Sequence, residues 1–373
     1  LSSAHAAATL AVILVGYEAK ILDENILNGT IILILITCIV ASFVTEKAAK
    51  KIVIESEDNT DNLAKLNNMQ NEHILLPTAN VSNISNILEF AIFIKDKKSA
   101  NPVSILSVVS NNQEAEINIL KARTKLEEFV KQASASETKV NIITTIDHNP
   151  GSGIARISRE IMADIVILGW PQKAGFLDKL IGERVETIIS NSDKTTFICH
   201  LEKPLVLHKR IVVTAPPLTE HEKGFELWLS KLSKLAQELS IPIVIYCNDA
   251  TGKDVLKVSQ KAKLAGTITI NPFTEWEDFL VLSRQIHVDD LLVLVSARKG
   301  ATSYGGFLDN LPSKIEKYFE GNSRFIIYPQ QFSDALSSER FEDISTEPLS
   351  KGIEAVQKIG KGIGSFFKKG GNE

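Results

Sequence analysis

The chain has 373 residues, a formal net charge of −4 and charges of both signs along its length, which excludes a general affinity for nucleic acid. Its three cysteines, Cys38, Cys199 and Cys247, show neither metal-ligand nor disulfide spacing and favour a reducing compartment. The length suits two or three domains, and roughly the first 45 residues are much more apolar than the rest.

Residues 1–50 are predicted to form membrane helices. Ile26 to Val44 is uncharged and would extend for about 28 Å as a helix, roughly the hydrocarbon thickness of a bilayer. Asp23 to Asn25 suit the N-terminus of this helix. Lys47, Lys50 and Lys51 follow its other end, which predicts that this end and everything after it are cytoplasmic.

The earlier apolar run, from Ser3 to Val15, is rich in small residues that let helices pack closely in a membrane bundle. We interpret it as the end of a spanning helix in a fragment of a longer protein. A signal peptide fits poorly because neither a basic start nor a cleavage site is visible. The alternative is a buried helix of a soluble protein.

After a polar linker at 51–72, strands and helices alternate, which predicts a parallel sheet covered on both faces. The first domain is placed at 73–203. Its strands are predicted at 73–78, 102–110, 139–146, 164–170 and 195–200, and its helices at 83–96, 114–133, 154–163 and 176–190.

The same order begins again in a second domain, at 204–330. Its strands are predicted at 210–215, 241–247, 266–271, 289–296 and 324–329, and its helices at 220–239, 252–264, 274–286 and 307–319. "AGFLDKL" at 174–180 and "GGFLDNL" at 305–311 fall at the same place in each series. The chain therefore reads as an α/β protein with a duplicated domain.

The stretches "LLPTAN", "MADIVILGW" and "WPQKAGFLDKLIGE" resemble universal stress proteins over about 75–200 and, more weakly, over 210–329. The apolar first 50 residues are similar to the last membrane segments of monovalent cation:proton antiporters of the sodium/proton class. The resemblance implies C-terminal transmembrane helices followed by two parallel-sheet, universal-stress-protein-like (adenine nucleotide alpha hydrolase-like) domains. It also implies a multi-pass protein of the inner membrane with cytoplasmic C-terminal domains.

The function implied is exchange of a monovalent cation, Na⁺ or K⁺, for protons. The ion-binding acids would lie in an upstream antiporter membrane domain, and the protein would be a homodimer. The alternative is a membrane-anchored tandem stress-protein sensor without transport. An enzyme is not expected, because the sequence shows no catalytic constellation or convergent metal ligands.

The resemblance implies a phosphate-binding loop with the pattern Gly-two-Gly-nine-Gly-Ser/Thr. Gly169 and Gly182 match it, but Gln172 replaces the middle glycine, Glu183 replaces the Ser/Thr, and Ala79 stands where the family has Asp. No cofactor is therefore expected, and nucleotide binding in the usual mode is disfavoured. Any ligand of this domain is predicted to contact Thr78, Gly169, Gln172, Gly175 and Gly182.

In the second domain, a basic glycine-containing loop follows the fourth strand and could hold an anion. Its residues are Arg298, Lys299, Gly300, Gly305 and Gly306. The alternative is a solvated surface loop.

The tail at 331–373 contains an amphipathic pattern. At 100° per residue, one arc holds Ile353, Val356, Ile359, Ile363, Phe366 and Phe367, and another holds Lys358 and Lys361. This segregation predicts contact with an anionic leaflet of the lipid bilayer. A disordered tail or a helix docked on the protein are the alternatives.

Overall fold

The computed structural model describes residues 6–57, 72–78, 84–133, 139–170, 182–264 and 266–331. The chain up to Gln331 forms one compact unit. The predicted tail beyond Gln331 and the loop at 171–181 lie outside the described residues.

Two helices open the described chain, α1 (Ala6–Glu18) and α2 (Glu24–Glu57). Gly16 permits the tight turn after α1, because a Cβ there would lie 2.7 Å from Leu22 Cδ1. The predicted N-terminus of the second helix is confirmed: the Asp23 carboxylate accepts a hydrogen bond of 2.9 Å from the Ile26 N–H.

Among the described residues, α2 is the one helix long and apolar enough to cross a bilayer, over Glu24–Ala41. Its side chains Ile32, Leu33, Leu35 and Ile36 are all more than half exposed and project on different sides of the helix, so its exposed apolar surface is not confined to one face. The helix runs through Glu57 into the predicted linker 51–72, because the residues after Val44 include good helix formers.

The first half of the sheet comprises five strands and four helices. The strands are β1 (Ile74–Pro77), β2 (Val103–Ser110), β3 (Val140–Asp147), β4 (Ile165–Gly169) and β5 (Thr195–His200). The helices are α3 (Ile84–Ile94), α4 (Ala115–Ala133), α5 (Pro150–Glu160) and α6 (Gly182–Asn191).

The second half repeats the strands with fewer helices. The strands are β6 (Arg210–Thr214), β7 (Ile243–Cys247), β8 (Ile268–Pro272), β9 (Asp290–Val295) and β10 (Ser323–Tyr328). The α-helices are α7 (Phe225–Leu239), α8 (Asp249–Lys261) and α9 (Leu311–Tyr318), and a 3₁₀ helix spans Phe279–Arg284.

All ten strands join in one sheet of order β3-β2-β1-β4-β5-β10-β9-β6-β7-β8. Within each half the neighbouring strands are parallel, whereas β5 and β10 pair antiparallel, with Ile198 opposite Ile326. When the strands of each half are numbered separately, both halves have the order 3-2-1-4-5 from the outer edge of the sheet to its centre. The two halves therefore meet at their fifth strands, β5 and β10. The antiparallel join points the carboxyl ends of the two halves toward opposite edges of the sheet.

A continuous hydrophobic core covers each face of the sheet. Side chains alternate along each strand, so Ile74 and Leu76 enter one core while Leu75 enters the other. The first core contains both Phe90 of α3 and Trp228 of α7. Since both cores cross the β5–β10 join, they unite the halves in one compact unit.

A buried ion pair reinforces this union. The Lys231 ammonium of α7 donates to the Glu72 carboxylate just before β1, and each side chain is only 3% exposed. Lys231 also donates to the Ile94 carbonyl at 3.2 Å, while Glu72 accepts from the Asp96 N–H at 3.2 Å. Lys231 of the second half thus fixes Glu72, the residue just before the first strand of the first half.

Several helix predictions need correction. The predicted helix at 307–319 is α-helical only from Leu311, after a 3₁₀ helix over Gly306–Asn310, and the predicted helix at 252–264 begins at Asp249. The predicted helix at 154–163 begins earlier, as α5, because Asn149 caps it and Pro150 occupies its first turn. The predicted helix at 220–239 begins only at Phe225. The preceding residues, Thr219–His221, form a 3₁₀ turn after Leu218, whose φ is +67°.

The predicted α-helix at 274–286 is wrong: this region holds only the 3₁₀ helix Phe279–Arg284. The buried side chains of this helix, Phe279 and Leu282, are three residues apart. That spacing places both on one side of a helix with 3.0 residues per turn, whereas an α-helix would separate them around its axis.

Candidate functional site

Open α/β sheets bind ligands at the carboxyl ends of the strands, where the strand order reverses. Each half of this sheet has such a switch point, between β1 and β4 in the first half and between β6 and β9 in the second. We call them the first and second switch points. The loops after β1 and β4, which contain Ala79, Gln172 and Gly175, lie outside the described residues, whereas the second switch point is fully described.

At the first switch point, Thr78 and Gly169 end neighbouring strands. The Thr78 N–H donates to the Leu106 carbonyl at 2.8 Å and so extends the sheet by one residue. A Cβ on Gly169 would lie 3.0 Å from Ile87 Cδ1 of α3. Gly169 therefore has a packing role whether or not a ligand binds. Gly182 is the first residue of α6.

Trp170, directly after β4, packs against the β5–β10 join. Its backbone N–H donates to the Cys199 carbonyl at 2.8 Å, whereas its buried indole N–H has no hydrogen-bond partner among the described residues. The Arg324 guanidinium lies 5.0 Å from the centre of the indole, and the His200 ring lies 6.1 Å away. The indole is thus held by protein groups and gives no sign of serving as a stacking platform.

Arg298, the first basic residue of the loop after β9, is buried and points toward the first half. Its guanidinium donates to four oxygens there or at the end of β10: the carbonyls of Ile189, Lys194 and Pro329, and Thr196 Oγ1. Burial lowers the pKa of Arg298 to about 10. These contacts assign it the role of a cross-link between the halves.

The other residues predicted for this loop lie apart from the Arg298 guanidinium. Lys299, Gly300 and Gly306 are exposed, and Gly300 has a φ of +85°, which favours glycine. A Cβ on Gly305 would lie 2.4 Å from the Phe307 ring, so glycine permits that close approach. The structure does not bring the two basic residues together as an anion site.

The carboxylates of the loop between β6 and α7 were missed by the sequence analysis. Glu222 Oε1 accepts hydrogen bonds of 2.8 Å from both the backbone N–H and the hydroxyl of Ser303, in the loop after β9. Glu220 Oε2 accepts from the Thr251 hydroxyl at 2.6 Å, in the first turn of α8. The second switch point thus contains two of the protein's own carboxylates.

A groove of about 360 Å³ lies between the end of β8 and the 3₁₀ helix of the second half. The Tyr246 hydroxyl donates to Gln285 Oε1 at 2.7 Å within it, and Glu275 supplies the charge in its lining. This lining does not favour a phosphate-bearing ligand.

Among the seven histidines of the chain, His200 pairs with Glu202, and His208 bonds the Leu205 carbonyl. No group of three His, Cys, Asp or Glu side chains converges to hold a metal within the described part of the chain. Burial raises the pKa of the Cys247 thiol to about 12, so it is not an activated nucleophile.

Comparison with known proteins places these features in context. Residues 70–200 match the Universal stress protein family. The first half of the sheet therefore has the universal-stress-protein-like α/β fold that the sequence predicted.

A curated relative extends the likeness beyond this half. The chain is 24% identical over 356 aligned residues to the Na(+)/H(+) antiporter NhaS5 of Synechocystis sp. (strain ATCC 27184 / PCC 6803 / Kazusa). The match covers 86% of this chain and 50% of the relative, so the chain spans about half the length of that antiporter.

Two solved structures are also similar. A universal stress protein from Archaeoglobus fulgidus DSM 4304 is 15% identical, with a TM-score of 0.49 over 71% of this chain and 98% of its own. The cytoplasmic domain of a prokaryotic cation chloride cotransporter is 14% identical, with a TM-score of 0.46 over 72% of this chain and 99% of its own.

Proposed function

We propose that the chain is the last membrane part and the cytoplasmic regulatory part of a monovalent cation:proton antiporter that exchanges Na⁺ or K⁺ for protons. The supporting observation is the length of the antiporter match. The match covers 86% of the 373 residues, which is about 321 residues, whereas the sheet-containing part, residues 72–331, has only about 260. The likeness therefore extends beyond the sheet.

The proposal places α2 across the inner membrane with the sheet in the cytoplasm. Its support is the apolar surface of α2, capped at one end by Asp23 and followed at the other by lysines. Fusions after Gln331 test this placement. Green fluorescent protein should fluoresce and alkaline phosphatase should be inactive; the reverse pattern would contradict the orientation.

We assign the sheet a regulatory role, with its second half as a second copy of the universal-stress-protein-like fold. The mirrored strand order of the two halves supports the duplication. The Glu72–Lys231 pair and the Arg298 contacts support regulation, because they tie the halves to each other and to the residue where the chain leaves the linker. A change at the linker would then reach both halves together.

Transport itself is tested with the complete protein, including its upstream membrane domain, in everted vesicles of cells that lack endogenous antiporters. Adding Na⁺ or K⁺ to respiring vesicles should collapse part of the proton gradient, followed by a pH-sensitive dye. No response to either cation in vesicles that contain folded protein would favour the membrane-anchored sensor. Cysteine cross-linking of the same vesicles tests the expected homodimer.

A further inference from the structure

The loop between β6 and α7, residues 215–224, is held in a specific shape at the second switch point. Leu218 has a φ of +67°, which costs free energy for a non-glycine residue. At the far end, the Gly224 N–H donates to the Gln330 carbonyl at 3.1 Å, and a Cβ on Gly224 would lie 2.3 Å from the Gln330 nitrogen. The loop is therefore constrained at both ends of the segment that carries Glu222.

Glu222 is buried and directed at the loop after β9. It is 5% exposed, and Ser303, its partner, is 4% exposed. One carboxylate oxygen receives both the N–H and the O–H of Ser303, each at 2.8 Å. A buried backbone N–H and a hydroxyl that converge on one oxygen form the kind of donor set by which protein loops bind anions.

The surrounding charge suits an anion as well. Burial lowers the pKa of Arg298, in the same loop as Ser303, and the charges of Asp193, Tyr328 and, least of the three, Glu222 oppose that shift. The guanidinium hydrogen-bonds the carbonyls of Ile189, Lys194 and Pro329 and Thr196 Oγ1, so Glu222 acts on its charge at a distance. The Ser303 donors and the Glu222 carboxylate belong to the loops after β9 and β6, which flank the place where a sheet of this topology binds its ligand.

We propose that Glu222 is a built-in anionic ligand of the second half. Its carboxylate occupies the place that the phosphate or carboxylate of a small molecule would take at the second switch point, and it joins the loops after β6 and β9 without any bound molecule. The second half is then permanently in a ligand-bound arrangement and does not respond to small anions. This inference is independent of the proposed transport.

The test is chemical rescue of Glu222→Ala in the full chain, purified in detergent. This substitution deletes the CH₂–COO⁻ group, for which acetate is a close substitute. Thermal unfolding is followed by tryptophan fluorescence. In sodium chloride the variant should melt roughly 5 °C below the wild type, because the Ser303 donors lose their acceptor. Sodium acetate at the same ionic strength should recover part of that loss, while the wild type should melt at the same temperature in both salts.

Two controls separate the anion from simple filling of space. Acetamide has the shape of acetate without its charge and should rescue less. Glu226→Ala removes the same charge from the partly exposed first turn of α7, and it should respond to neither probe. If Glu222→Ala does not fold in chloride, the yield of folded protein in acetate is compared with the yield in chloride instead. The same comparison is made on Glu222→Gln, which is the milder variant.

The proposal is overturned if Glu222→Ala melts like the wild type, or if chloride, acetamide and acetate affect it equally. It is also overturned if acetate or phosphate stabilises the wild type itself beyond chloride and this effect is lost in Ser303→Pro, since the loop would then have an unfilled anion site.

Discussion

The buried ion pair that ties the second half to the start of the first gives the sharpest prediction. Lys231→Met removes the ammonium but keeps most of the side-chain volume. Glu72 would then be a carboxylate only 3% exposed, with the Asp96 N–H at 3.2 Å as its remaining described hydrogen bond to the side chain. Leaving one partner of a buried pair uncompensated costs about 3–5 kcal/mol of the free energy of unfolding.

Removing both charges should cost much less. In Glu72→Gln/Lys231→Met the amide oxygen can keep the Asp96 N–H, and neither side chain is left as a buried charge without a counter-charge. We expect the double variant to lose about 1–2 kcal/mol, so adding Glu72→Gln to Lys231→Met should recover about 2–3 kcal/mol, and the loss in Glu72→Gln alone adds to this in the coupling free energy. The same cycle on Lys97 and Glu238, joined at 2.8 Å with Lys97 80% exposed, should give less than about 1 kcal/mol.

Urea unfolding in detergent, followed by tryptophan fluorescence, measures these values. All three tryptophans, Trp170, Trp228 and Trp276, lie in the sheet-containing part, so the signal does not report on α1 and α2. A coupling between Glu72 and Lys231 as small as that of the exposed pair would refute the inference that this contact is buried and holds the halves together.

Four other predictions follow from particular residues. Arg298→Lys should lose about 2–4 kcal/mol in the same urea assay, because an ammonium cannot reach the carbonyls that the guanidinium bridges; wild-type stability would contradict the cross-link. Gly169→Ala should lower the free energy of unfolding by about 1 kcal/mol, since the new Cβ would lie 3.0 Å from Ile87 Cδ1. Adding Ile87→Val, which removes Cδ1, should relieve the clash, and equal losses in Gly169→Ala and the double variant would argue against this contact. Burial lowers the pKa of His208 below 6.5, so the stability that its neutral form contributes is present above the unfolded pKa and is lost as the pH falls below 6.5 through the folded value. Between pH 7.5 and 5 the melting temperature should therefore fall less in His208→Gln than in the wild type, and equal falls would contradict this prediction. Finally, a peptide of residues 349–369 should float with vesicles containing anionic lipid and not with neutral ones, and Lys358→Glu/Lys361→Glu should abolish flotation; binding to neutral vesicles alone would refute the electrostatic part.

The strands could be predicted from sequence because a parallel sheet buried on both faces requires continuous apolar runs. β5 was predicted with its observed bounds, and β1 and β4 within a residue at each end. The 3₁₀ helix at Phe279 was missed because three-residue spacing resembles the first turns of an α-helix. Asn149 as a cap and Pro150 in the first turn indicate where α5 begins, but the sequence analysis began this helix at residue 154.

The site was less predictable, because its decisive contacts join residues far apart in the chain. Nothing near Arg298 in sequence indicates that its partners are carbonyls about 100 residues earlier. Glu222 resembles an ordinary acidic residue at a helix start, and only the fold brings it to Ser303, 81 residues later. Likewise, the antiparallel pairing of β5 with β10 depends on how the two halves dock, which strand patterns alone do not specify.

The measurement that tests the account most directly compares cation-driven proton movement by the complete protein with that of a version ending at Glu57. Both should respond to Na⁺ or K⁺ in everted vesicles, but the truncated version should show a shifted pH dependence or a shifted half-saturating cation concentration. Superimposable curves would contradict the regulatory role of the sheet, and no cation response from either folded protein would contradict the antiporter assignment itself.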